Sequence, residues 1–408
     1  MVVIKKKPHI CRFSPYLYPM PNLLISLVGD QTVPNVFLIR DPAFRRIDHY
    51  IFVTTQLMEE RRRLAHIIAA TGISEEQYRT ITVEADKLTD IRHQLGRLQL
   101  PLTGNHYYVN LTSGTKLMSI ALYDFFTREG YQNCSSIFYV PIGKNAFLQV
   151  YPEGQRREEA ISYRISLGEY LASYGIEALE QKGTQQLYLP PAYTASAFPH
   201  FLKAMDTGKA FANRMKGLRD RYRQASQKAE LQIRVEPEMQ SFLGQIGFPL
   251  SREGTLEKAA VAYLIGGWLE EWLYMQVKEG LGLPDAAIRF GVKVARPNAS
   301  GERVPNECDL LFILNNTLYI VECKTGLGRS PKPLFEEAVY KLTALRNEFG
   351  QRVQTLFFTL TDLRDTKGRL RKPYLDRAGM HRIRLFDRQG IAEGLEGYLR
   401  EEGERSWF

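Results

Sequence analysis

Three residues in the last third of the chain have types and spacing that could do chemistry. Asp309, Glu322 and Lys324 lie within ECDLLFILNNTLYIVECK, residues 307–324. Side chains alternate along a strand, so Glu322 and Lys324 share a face. Both sit at the end of an apolar run, Leu318 to Val321. Asn315-Asn316 is a turn dipeptide tolerant of positive φ. A hairpin closed there pairs residues whose numbers sum to about 631, which sets Asp309 opposite Glu322. Two carboxylates and an ammonium then stand together. Adjacent carboxylates repel unless a cation lies between them. Oxygen donors without His or Cys suit Mg²⁺ or Mn²⁺. Such an ion activates water and stabilises a phosphodiester in transfer, with Lys324 orienting the water or meeting the charge at phosphorus. A plain surface ion-pair cluster is the alternative, and it leaves the hairpin spacing unexplained.

A second constellation is Asn110-Leu111-Thr112-Ser113-Gly114-Thr115-Lys116, which follows one apolar run and opens a helical one. Gly114 permits close backbone approach, and a helix start offers free N–H groups at the positive end of the dipole. Thr112, Ser113 and Thr115 add hydroxyls and Lys116 adds charge, a set suited to phosphate. An ordinary capping segment is an equally good account of these residues alone. Gly29-Asp30-Gln31-Thr32 follows the first apolar run in the same way. Ligands of open parallel sheets bind beyond the carboxyl ends of the strands.

The elements that must position these residues can be read from the pattern. Apolar runs at Leu23–Val28, Ile47–Thr54, Tyr78–Val83, His106–Leu111 and Ser136–Val140 predict strands. Helix-period stretches at Gln56–Ala70, Leu88–Leu98 and Thr115–Arg128 lie between them. This alternation predicts an α/β domain with a Rossmann-like parallel sheet over 22–165, with Ala146–Tyr151 as a further strand. Residues 1–21 read as an irregular basic extension and 166–255 as a helical connector. From 256 the order is a helix (Leu256–Val277), three strands (Ile288–Val294, Glu307–Leu314, Leu318–Cys323), a helix (Phe335–Phe349) and a strand (Val353–Leu360). That predicts a separate α+β domain over 256–408.

Composition sets the outer bounds. The chain has 408 residues, 24% of them charged, and a net charge of +9. Residues 201–234 hold nine Lys/Arg against three Asp/Glu, and residues 364–388 hold the same numbers. The basicity is therefore concentrated in two tracts, and it favours an anionic partner such as nucleic acid. The four cysteines are scattered without a Cys-x-x-Cys, which fits a reducing cytoplasm and argues against a disulfide framework. No apolar run is long enough for a membrane span and no phosphate-binding G-x-x-x-x-G-K-[ST] is present.

The Asp309, Glu322, Lys324 pattern resembles the D-x(n)-[DE]-x-K signature of PD-(D/E)xK nucleases, with Cys308 in place of the usual Pro. The helix, β-meander, helix, strand order is similar to that superfamily's restriction-endonuclease-like core. The resemblance implies Asp309 and Glu322 as ligands of Mn²⁺ or Mg²⁺, with Lys324 at the water or phosphate. The first helix of such cores often adds a carboxylate. Here Glu270 and Glu271 compete: Glu271 follows the Leu264, Trp268, Trp272 stripe, and Glu270, nearer Gly267 and Tyr274, is favoured. Lys341 is a further candidate for the scissile phosphate.

The run NLTSGTK resembles the N-x-T-x-G-T-K motif of CARF domains, the CRISPR-associated Rossmann folds that bind cyclic oligoadenylates. The two motifs in this order resemble ancillary nucleases of type III CRISPR systems. The implied protein is a homodimer with one symmetric pocket for cyclic tetra-adenylate as activator, lined by Gly29, Asp30, Gln31 and Thr32 and by Asn110 and Thr112 to Lys116. It cleaves DNA, RNA or both. Two alternatives stand beside this: a restriction- or repair-type nuclease without nucleotide control, and a nucleotide-sensing regulator that only binds nucleic acid.

Overall fold

Runs rich in Val, Ile, Leu, Tyr and Phe, punctuated by Gly, Asn and Ser, form two large sheets, beside a small two-stranded one. The computed structural model describes residues 22–404 apart from 129, 153–157, 207–208, 225–231, 298–301, 327 and 329–330. The basic extension expected over 1–21, and part of the basic tract 201–234, lie outside the described residues. Two compact units are present, divided between residues 162 and 163, with Ile142–Asn145 belonging to the second.

In the first unit the strands are β1 (Asn22–Leu27), β2 (His49–Thr54), β3 (Tyr78–Thr82), β4 (His106–Asn110), β5 (Ser135–Tyr139), β6 (Ala146–Tyr151) and β7 (Glu158–Ala160). The helices are α1 (Val33–Arg40), α2 (Gln56–Glu60), α3 (Arg63–Thr71), α4 (Leu88–Gly96) and α5 (Lys116–Thr127). The strand order is β3-β2-β1-β4-β5-β6-β7. Strands β1 to β5 are parallel, and β6 and β7 extend the sheet antiparallel. The chain leaves β1 to one side and returns from β3 to the other, so the carboxyl ends of β1 and β4 flank a topological switch point. Leu23, Ile25, Leu27, Val53, Val109, Leu122 and Phe126 form the core beneath it.

The single helix expected over 56–70 is two. Arg62 takes a left-handed φ of 55° between α2 and α3. Residues two apart on one helix point away from each other, yet Arg61 and Arg63 both reach Asp30. The left-handed residue between them turns both side chains to one carboxylate. Helix α1, which follows a loop with little apolar periodicity, was not expected.

The second unit opens with α6 (Leu167–Ser173), held by a reciprocal cap between Ser166 and Glu169, and β8 (Glu177–Lys182). Then come α7 (Pro191–Asp206), α8 (Lys209–Gln224), β9 (Gln232–Arg234), α9 (Pro237–Gln245), β10 (Thr255–Glu257) and α10 (Lys258–Ala262). A π-helical turn, Tyr263–Gly267, leads into α11 (Trp268–Gly280). The remainder is β11 (Ile288–Ala295), β12 (Asn306–Leu314), β13 (Thr317–Lys324), α12 (Pro331–Glu348), β14 (Val353–Thr359), α13 (Lys372–Met380), β15 (Ile383–Phe386) and α14 (Arg388–Glu404). The sheet order is β15-β14-β13-β12-β11-β8.

Two expectations are corrected here. The stretch 166–255 is not wholly helical, because β8 pairs with β11 and β9 with β10. Its helices also pack into the core of the second unit: Phe201 stacks on Trp268 at 4.5 Å and Phe198 on Trp272 at 3.7 Å. The helix expected over 256–277 is present but starts at Lys258, because Thr255–Glu257 pair as β10, and it runs through the π turn to Gly280.

Candidate functional site

Asn315 and Asn316 have φ of 51° and 62°, so the hairpin closes on a two-residue turn. Leu310 pairs with Val321 and Phe312 with Tyr319, which is the register expected from the sequence. The turn is locked by Asn316, fully buried, whose side chain accepts from Ile165 N and donates to Tyr163 O. That register brings Asp309 and Glu322 together at the far end of the hairpin.

Asp309 Oδ2 accepts from Cys323 N at 2.6 Å and lies 3.8 Å from Lys324 Nζ. Glu322 is flanked on both oxygens. Lys324 Nζ donates to Oε1 at 2.5 Å, and Lys341 Nζ, from α12, donates to Oε2 at 2.6 Å. Both acids are buried. Burial and then the charge of Glu322 push the Asp309 carboxyl up to about 6, against Lys324 and Lys341. Burial opposes the charge on Lys324, but Asp309 and Glu322 outweigh it and hold the ammonium above its ordinary range.

The two helix glutamates separate cleanly. Burial, then Asp309 and Glu307, push the Glu270 carboxyl up to about 8, so its field is that of the acidic pair. Glu271 turns away: Oε1 accepts from Tyr188 N at 2.9 Å, and Oε2 is buried without a partner. Glu270 therefore lies in the field of Asp309 and Lys324, whereas Glu271 is engaged by the backbone at Tyr188.

No three His, Cys, Asp or Glu side chains form a preformed metal cage among the described residues. The donor chemistry nevertheless fits a hard divalent cation. Burial and acidic neighbours raise the pKa values of both Asp309 and Glu270, and a divalent cation bound by such carboxylates relieves that repulsion.

On the first sheet, the loops after β1 and β4 interlock at the switch point. Ser113 Oγ donates to Gln31 O at 2.7 Å, and Asn35 Nδ2 donates to Ser113 Oγ at 3.4 Å. Asn110 is buried and structural: it donates to Ser26 Oγ and accepts from Thr112 N and Oγ1. Thr112 Oγ1 in turn accepts from Val140 N. Thr115 caps α5 by accepting from Met118 N at 3.3 Å, and donates to Ala85 O. Gly114 lies against Leu27, and Gly29 against Ser113 O. Lys116 is exposed at the start of α5. Thr32 is fully buried and its Oγ1 has no partner among the described residues.

Asp30 sits with cations rather than alone. It accepts from Arg61 Nη1 at 2.8 Å and from Arg63 Nη2 at 2.9 Å. Burial raises its pKa, but these bonds outweigh burial and the net shift is downward. Arg61 and Arg63 were not anticipated at this edge. The run Arg61-Arg62-Arg63 after the second strand was the available signal. In the basic tract 364–388 five of the nine Lys/Arg sit in ion pairs: Arg364 pairs with Asp387, Arg369 with Asp365, Lys372 with Asp376, Arg377 with Glu336 and Arg388 with Asp206.

Residues 23–170 match the family of the Card1 CARF domain, and residues 257–392 match the Card1-like endonuclease domain. No curated protein matches the sequence closely enough to count as a relative. Among solved structures, protein VC1899 from Vibrio cholerae aligns with a TM-score of 0.75 at 18% identity, over 95% of this chain and 99% of its own. Can2 from Sulfobacillus thermosulfidooxidans, solved in complex with cyclic tetra-adenylate, aligns with a TM-score of 0.67 at 19% identity, over 93% of this chain and 99% of its own. A type III CRISPR defence DNA nuclease activated by cyclic oligoadenylate aligns at 0.50 and 18% identity, over 88% of this chain and 51% of its own. At these identities the likeness is one of fold.

Proposed function

We propose, for a chain that belongs to the CRISPR-associated nucleases joining a Card1-type CARF domain to a Card1-like endonuclease domain, that a cyclic oligoadenylate switches on metal-dependent cleavage of nucleic acid. The observation that carries this is the cluster of Asp309, Glu322 and Lys324 on the central strands β12 and β13 with Lys341 of α12, and with Glu270 in the field of Asp309. The arrangement supports the reading of a PD-(D/E)xK site. The ligand in the Can2 structure supports cyclic tetra-adenylate as the activator. A ring of even symmetry is matched by a homodimer, which offers the same loops twice about a twofold axis. The role is type III antiviral defence, on DNA, RNA or both.

Asp309 and Glu322, joined by Glu270, would hold Mn²⁺ or Mg²⁺ through oxygen, and the ion when bound supplies a Lewis acid for the phosphodiester. The remaining work falls to the chain's own groups. Cys323 N–H fixes the Asp309 carboxylate. Lys341 holds the outer oxygen of Glu322 and sets the carboxylate plane. Lys324, kept protonated by its acidic neighbours, donates to the attacking water or to a phosphoryl oxygen as charge develops there. On the first sheet, Ser113, Thr115, Lys116 and the N–H groups opening α5 face the phosphates of the ring. Activation requires that the ring bind one arrangement of the protein more tightly than another.

Glu322→Ala tests the site. It should lower cleavage by more than about 100-fold while calorimetric affinity for cyclic tetra-adenylate is unchanged. Cleavage at the wild-type rate would remove Glu322 from the mechanism. Lys116→Ala should weaken activator binding about tenfold and leave the unfolding of the second unit unaltered.

A further inference from the structure

The cleavage site meets an incoming polyanion with its cations already engaged. Lys324 and Lys341 both direct their ammonium groups to Glu322. Asp309 and Glu270 add acidic groups beside them. A strand approaching this site is held better if a further cation, beyond those the carboxylates engage, meets its phosphates.

Helix α8 supplies one. It carries six Lys/Arg and one Asp between residues 209 and 224. From it, Arg219 Nη2 donates to Ile265 O at 2.9 Å and to Thr325 Oγ1 at 3.4 Å. Ile265 lies in the π turn that leads into α11 and Glu270, and Thr325 directly follows Lys324. One guanidinium therefore ties together both arms that carry the site. It is partly buried and has no carboxylate partner among the described residues. Burial, and next the charge of Arg223, hold its pKa below the ordinary value, against Asp220. Nη2 is engaged, while Nε and Nη1 carry no hydrogen bond among the described residues. A half-buried guanidinium with an unused donor edge suits a phosphate, which it can take in a forked geometry.

We propose that Arg219 is a substrate-binding residue that takes a phosphate of the nucleic-acid strand beside the scissile bond, with Nη2 anchoring it to the π turn and to Thr325. This rests on the nuclease assignment above. It also gives the basic tract 201–234 a defined role, in which one residue enters the site from the helix.

The test uses the full chain with cyclic tetra-adenylate, Ca²⁺ in place of Mn²⁺ to hold substrate uncut, and a fluorescent oligonucleotide titrated from about 50 to 200 mM salt. Arg219→Gln should weaken binding about tenfold and lower the slope of log affinity against log salt by about one. Arg219→Lys, which keeps the charge, should restore the slope and only part of the affinity. Both variants should melt within about 2 °C of wild type. Wild-type affinity and slope in Arg219→Gln, with a fall in kcat alone, would overturn the proposal and leave Arg219 a positioning residue. If the wild-type chain itself bound no oligonucleotide, the nuclease assignment would fail first, and that outcome is read from the wild-type arm alone.

Discussion

Gly29 shows how little room separates the two loops at the switch point. A Cβ there would stand 1.6 Å from Ser113 O, a main-chain atom that cannot rotate aside. Gly29→Ala should destabilise the first unit by about 1–3 kcal/mol, as other overpacked sites do, and weaken activator binding in the same calorimetric titration. At Gly114 the nearest atom is Leu27 Cδ1 at 2.5 Å, the end of a flexible side chain, so Gly114→Ala should be milder. Asp30 makes a pH prediction. Its folded pKa is depressed, so its contribution is present above the unfolded value of about 3.9 and is lost as pH falls through the folded value. The melting-temperature gap between wild type and Asp30→Asn should therefore be greatest near neutrality and close in acid. At this scale the residue types were legible and their partners were not. Asp30 stood out beside a glycine after a strand. That two arginines thirty residues on would claim it depends on Arg62 adopting a left-handed backbone, which nothing in a run of arginines announces.

Among the elements, the hairpin from Asn306 to Lys324 was the most legible. Two asparagines between apolar runs specify a two-residue turn, the turn specifies the register, and the register places Asp309 against Glu322. What the turn residues themselves hold was hidden, because Asn316 bonds to the backbone around residues 163–165, far away in sequence. Asn316→Ala removes the acceptor of the buried Ile165 N–H and one donor to the Tyr163 carbonyl, and keeps a positive φ. It should cost the second unit about 3 kcal/mol or more in a denaturant titration. Asn315→Gly, at a positive φ, should be neutral or slightly stabilising. The helix before the site was only half legible. Its apolar stripe favoured neither glutamate decisively. The π turn at Tyr263–Gly267 shifts the helical register ahead of α11, a change that periodicity over one window does not resolve.

For the whole molecule, the order of elements carried most of the information. Five apolar runs alternating with helices implied a parallel sheet, and a meander between helices implied a second core. Both are present. The connecting stretch was less legible, since Gln232–Arg234 is too short to show a pattern and Glu177–Lys182 is mostly polar and exposed. The two basic tracts looked alike by charge count but differ by environment. In that of 364–388 five of the nine Lys/Arg are paired with acids, whereas Arg219 in the other is not. The central claim joins the two sheets in one activity: a ring of adenylates at the first controls phosphodiester cleavage at the second. The most direct measurement is cleavage of supercoiled DNA, single-stranded DNA and single-stranded RNA by the full chain with Mn²⁺, with and without cyclic tetra-adenylate. Cleavage of at least one substrate that requires both the metal and the activator is the predicted result. Equal cleavage without the activator, or none with it, would contradict the account.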